Sequence, residues 1–87
     1  MKIKDGYLLR EVAGNYIVVA VGEAVKEFNG LVNLNESAAF LWKQLEENKT
    51  EEQLVAALLG EYEVEEQKAK EDVSAFVKKL QEAKLIK

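Results

Sequence analysis

The chain has no cysteine and no histidine. Without cysteine there is no disulfide framework, zinc ribbon, iron–sulfur cluster or thiol nucleophile. Without histidine there is no imidazole base and no histidine-ligated metal. Together these absences remove much of the common catalytic repertoire, and no cofactor is expected. Long apolar runs are missing too: none approaches the ~18–20 residues of a membrane span. The opening Met1-Lys2-Ile3-Lys4-Asp5-Gly6 lacks the apolar stretch of a signal peptide. The reading is a soluble, cytoplasmic protein that does not engage a membrane.

What is present fits one domain over residues 1–87. A chain of 87 residues has no room for a second core. It buries roughly 60–65% of the surface its unfolded form exposes, so it needs nearly all of its large apolar side chains. With 48% hydrophobic and 32% charged residues it has enough of them, and disorder is excluded.

The net charge of −4 is uneven. Lys2, Lys4, Arg10 and Lys26 balance Asp5, Glu11, Glu23 and Glu27 before residue 35, and the rest of the chain carries the whole excess. An acidic chain is a poor start for a phosphate-backbone binder.

The pattern changes once, near Leu34. Before it, β-branched and aromatic residues come in short runs broken by glycine; after it, apolar residues recur at helical spacing. A β-block followed by an α-block reads as α+β. Strands are expected at Tyr7–Ala13 and Tyr16–Val21, around a Gly14-Asn15 turn. A third is expected at Phe28–Leu34, after a looser connection that Gly22 breaks. The three form an antiparallel meander over about 7–34, with the first and third strands at its edges. Three helices over about 36–84 must cover its apolar face.

Asn35 is the expected N-cap of the first helix, about Glu36–Glu47. Its stripe is Ala38, Leu41, Trp42 and Leu45. Phe40 lies opposite that stripe and needs a second partner, either the protein's own packing or a ligand. Thr50 and Gln53 form a capping box for the second helix. Leu54, Val55, Leu58 and Leu59 are its core positions, and Gly60 falls in its last turn or at its C-cap. The third helix runs from about Glu65 to Ala83, with Ala69, Val73, Phe76, Val77 and Leu80 in one stripe. Leu85 and Ile86 follow as an apolar tail. The set reads as a winged helix-turn-helix-like unit.

Candidate chemistry is sparse. Glu46-Glu47, Glu51-Glu52, Glu65-Glu66 and Glu71-Asp72 are acidic doublets, but each sits on a polar helix face or at a helix start, where negative charge suits the dipole. There is no calcium-loop, dinucleotide or phosphate-loop motif, and no metal site is expected. Five lysines against five acids over residues 65–84, with no arginine, give a poor DNA-reading helix. The strand at 28–34 has neither charge nor proline, although sheet edges are usually blocked by such residues. An extended peptide can add to an edge of that kind. An edge covered by the protein's own helix, or by a second copy of the chain, would look the same in sequence.

The run Phe28-Asn29-Gly30-Leu31-Val32-Asn33-Leu34-Asn35-Glu36-Ser37-Ala38-Ala39-Phe40-Leu41-Trp42 resembles the central signature of the PqqD-like proteins: a strand ending in Leu-Asn, then a helix carrying an aliphatic-Trp pair. Glu61-Tyr62-Glu63-Val64 and Asp72-Val73-x-x-Phe76-Val77-x-x-Leu80 resemble the closing segment of that family. The resemblance spans about Tyr7 to Ile86. It implies three antiparallel strands followed by three helices. It also implies a non-catalytic adaptor for ribosomally made, modified peptides, one that captures the leader of a precursor and presents it to a modifying enzyme, often a radical S-adenosylmethionine enzyme. In such proteins the leader adds beside the third strand and packs on the third helix. Mapped here, the groove uses the backbone of Phe28, Gly30, Leu31, Val32 and Asn33, with Lys68, Asp72, Ala75, Phe76 and Lys79 from the third helix. Phe76 also sits in the middle of the core stripe. Family members often cap the third helix with Asp or Asn where Glu65 stands here, so its start is open by a residue or two. The alternatives are a winged-helix DNA-binding or regulatory module, and a homodimerisation module joined through the same edge.

Overall fold

The computed structural model describes residues 1–26 and 32–87. The element order is β1 (Tyr7–Val12), β2 (Asn15–Ala20), a 3₁₀ helix (Gly22–Lys26), β3 (Val32–Leu34), α1 (Glu36–Gln44), α2 (Glu51–Glu61) and α3 (Glu66–Glu82). The strands form one antiparallel sheet in the order β1-β2-β3. The expected α+β architecture, three strands then three helices, is the one observed. Phe28 to Leu31 of the expected third strand lie outside the described residues.

Strand alternation sorts the sheet into two faces. Tyr7, Leu9, Tyr16, Val18, Ala20, Val32 and Leu34 belong to the core side and pack with the helices. Val18 is fully buried. Leu8 and Val12, of opposite parity, are exposed.

The β1–β2 turn differs from the sequence expectation by one residue. Val12 pairs with Asn15, so the two turn residues are Ala13 and Gly14 rather than Gly14 and Asn15. Both have positive φ, 51° and 81°, as a type I′ hairpin turn requires. The register explains the shift. It sets Leu9 opposite Val18 and Tyr7 opposite Ala20. A turn at Gly14-Asn15 would set Leu9 against Ala20 and Tyr7 against Gly22, and the core face would lose the Leu9–Val18 pairing. Packing outweighs the local turn preference.

The helix starts are decided locally. The Asn35 side chain accepts from the Ala38 N–H at 2.8 Å. Thr50 and Gln53 form the expected capping box, with bonds of 3.1 and 2.9 Å. Glu65 occupies the N-cap of α3 without a side-chain cap bond. α1 ends at Gln44, earlier than its apolar spacing suggested. There the Glu46 and Glu47 N–H groups reach the carbonyls three residues back, Lys43 and Gln44, at 3.3 Å each. That tightening closes the helix, so the Glu46-Glu47 doublet lies past its end.

The core stripes are largely the expected ones. Leu41, Trp42, Leu45, Leu54, Leu58, Ala69, Val73, Phe76, Val77 and Leu80 are buried, while Leu59 is 37% exposed. Phe40 finds its second partner in Tyr62, at the end of α2. Their rings meet edge to face with centroids 5.7 Å apart, a favoured aromatic geometry.

Candidate groove between β3 and α3

β3 pairs with β2 alone. Its other side therefore carries no strand among the described residues. A groove of about 520 Å³ opens there, lined by Asn33, Leu34, Asn35, Ser37, Ala38 and Leu41 on one wall and by Lys68, Asp72, Ala75, Phe76 and Lys79 on the other. The second wall follows from helical spacing. Positions 68, 72, 75–76 and 79 recur every three to four residues and share one face of α3.

All five α3 residues expected from sequence are thus brought together, and Asn33 faces them across the groove. Val32 does not line it; its side chain is half-buried against the core. The expected positions Phe28, Gly30 and Leu31 lie outside the described residues. Leu34, Asn35, Ser37, Ala38 and Leu41 were not anticipated as lining residues. Their signal was present in part: an N-cap fixes where α1 begins, and the first turn of that helix must then flank the end of β3.

The walls differ in chemistry. Phe76 is 6% exposed and belongs to the core, so it forms an apolar floor rather than a free side chain. Ala75, beside it, is exposed and small, which keeps the groove open. Lys68 Nζ donates to Asp72 Oδ1 at 2.8 Å. That hydrogen bond and the Asp72 charge hold the Lys68 ammonium above its ordinary pKa. Lys79 reaches across the groove, and its Nζ donates to the Asn33 backbone carbonyl at 3.1 Å. The sequence shows an uncharged third strand; in the structure a lysine 46 residues away makes a hydrogen bond to its backbone.

A second cavity, about 510 Å³, lies between α2 and α3. Val55, Ala56 and Leu59 line it, with Glu51, Glu52, Glu66 and Lys70 around them. Among the described residues no group of three or more Asp or Glu is placed to hold a metal ion, and no helix is long and apolar enough to cross a membrane.

The comparisons with known proteins agree with this architecture. Two solved structures share the fold. One is TbiB1 in complex with the TbiA(beta) leader peptide, 23% identical with a TM-score of 0.77, the match covering 100% of this chain and 95% of that one. The other is lasso peptide synthetase B1 complexed with the leader peptide, 22% identical with a TM-score of 0.70, covering 93% and 89%. No curated protein matches. The family model for Coenzyme PQQ synthesis protein D (PqqD) matches residues 8–86, nearly the whole length. The chain belongs to the PqqD family.

Proposed function

We propose that this chain is a non-catalytic, cytoplasmic adaptor that captures the leader segment of a ribosomally made precursor peptide. The leader adds as a strand beside β3, and the chain presents it to a peptide-modifying enzyme, of which a radical S-adenosylmethionine enzyme is the type the family suggests. One observation carries the reading: the side of β3 that bears no strand among the described residues opens onto a groove whose far wall is one face of α3. Strand addition draws general affinity from backbone hydrogen bonds, and side-chain pockets supply selectivity. Here the Phe76 floor takes an apolar side chain, and the lysines and Asp72 set the charge match. Both structural neighbours are complexes with leader peptides, which supports the same use of the fold.

DNA reading through α3 has less support. The helix carries Lys68, Lys70, Lys78 and Lys79 against Glu66, Glu71, Asp72 and Glu82, a balance that gives no counterion-release drive.

The experiment is a selection of displayed random peptides against the folded chain, followed by amide chemical-shift mapping of the best binder. Shifts concentrated on 32–34 and on the 68–79 face of α3 are expected. Binders whose shifts fall elsewhere, or no binders at all, would overturn the reading.

A further inference from the structure

Resting on that peptide-binding reading, we infer that Lys79 is a displaceable cap on the β3 edge which selects for an acidic side chain in the incoming peptide. The Lys79 ammonium occupies the Asn33 carbonyl at 3.1 Å. Asn33 belongs to β3, and among the described residues β3 has a strand on one side only. A peptide strand adding on the other side needs backbone acceptors there for its N–H groups. The ammonium and an incoming N–H therefore compete for one carbonyl.

The contact is well suited to exchange. It is solvent-exposed, so a released ammonium regains water and little is lost on leaving. The carbonyl, in turn, goes from one donor to another and is not left unpaired. In the free chain the lysine blocks β3 against pairing with other strands, which is the usual role of lysine at a sheet edge.

Once displaced, Lys79 is the free cation among the described residues of the groove. Among the described residues, the charged ones lining the groove are Lys68, Asp72 and Lys79. Lys68 and Asp72 are already bound to each other at 2.8 Å. Among the described residues Lys79 takes part in no ion pair, and its one hydrogen bond is to Asn33. The described residues of the groove thus hold one unit of uncompensated positive charge, on a chain whose net charge is −4. A carboxylate on the peptide is the group that satisfies it, at the position along the strand that lies beside Asn33.

The test compares three selections from one random displayed-peptide library: against the wild-type chain, Lys79→Met and Lys79→Glu. Lys79 is exposed, and melting curves check that both variants fold. The wild-type pool should concentrate Asp and Glu at one position. The Lys79→Met pool should lose that concentration, and the Lys79→Glu pool should show Lys or Arg in its place. One acidic binder from the wild-type pool should bind Lys79→Met about fivefold more weakly, the upper size of an exposed ion pair. If all three pools agree at every position while the binders still map to β3 and α3, the charge-selecting cap is wrong and the peptide-binding reading stands. A wild-type selection that yields no binder overturns both.

Discussion

Ile3 and Ile86 pair antiparallel, joining the first residues of the chain to its last. Two backbone bonds flank the pair, Lys4 N–H to the Leu85 carbonyl and Lys87 N–H to the Lys2 carbonyl, each 2.9 Å. The Ile3 N–H also donates to the Leu45 carbonyl at the end of α1, at 2.9 Å. The N-terminal segment thus runs between the end of α1 and the tail behind α3. Ile3, Leu85 and Ile86 are all buried there. The tail is a structural element, and Leu85, fully buried, is its anchor. Leu85→Ala should cost about 2–5 kcal/mol, the range for a large-to-small change in a packed core. Against a typical total of about 5–15 kcal/mol that is a large loss. A urea titration should show a lower midpoint; an unchanged midpoint would show that the tail does not hold the two ends together.

The turn that feeds this pair offers a gain. Lys84 N–H donates to the Gln81 carbonyl at 3.0 Å, and Leu85 N–H to the Leu80 carbonyl at 2.9 Å. This is the Schellman pattern that ends many helices. It places Lys84 in the left-handed region, φ 59°, where glycine is the usual occupant. A non-glycine residue there costs about 1–2 kcal/mol, and glycine returns part of that advantage through its larger unfolded-state entropy. Lys84→Gly should therefore raise stability by about 0.5–1 kcal/mol. A melting temperature that falls would mean that the Lys84 side chain has a role its backbone does not reveal.

Legibility in sequence followed the range of the interactions. Caps, stripes and element order depend on neighbours within a few residues, so Asn35, Thr50 and the α3 stripe could be read directly. The five α3 groove residues followed from a family resemblance together with helical spacing. The turn at Ala13-Gly14 could not be read locally, because the register of the core face chose it over the more usual Gly14-Asn15. The Ile3–Ile86 seam and the Lys79–Asn33 bond join residues 83 and 46 apart in sequence. Neither has a local signal: Ile3 stands alone between lysines, and Lys79 is one of five lysines in its region.

Asn35 links the fold to the groove. Its side-chain oxygen accepts from the Ala38 N–H and from the Ser37 hydroxyl, at 2.8 and 3.1 Å. Both Ser37 and Ala38 line the groove. Asn35→Ala should cost about 1 kcal/mol, the ordinary value of an N-cap. Asn35→Asp should keep the cap and gain slightly from its charge at the helix start. Denaturant midpoints for the two variants would separate them, and equal losses would show that the cap oxygen is not what positions α1.

The two neighbours Ala75 and Phe76 separate binding from stability. Both line the groove, but Phe76 is 6% exposed and packed into the core, while Ala75 is exposed. Phe76→Ala should cost about 3–5 kcal/mol, so any loss of peptide binding would be mixed with unfolding. Ala75→Arg instead adds a long side chain to the groove from an exposed helix position, and arginine is nearly as good a helix former as alanine. Its stability should stay within about 0.5 kcal/mol of the wild type, as surface changes usually do. Binding of a peptide selected on the wild-type chain should fall more than about tenfold, a change of 1.4 kcal/mol in binding free energy. Full affinity in Ala75→Arg would place the peptide somewhere other than between β3 and α3. The same titration on Phe76→Ala could not make that distinction.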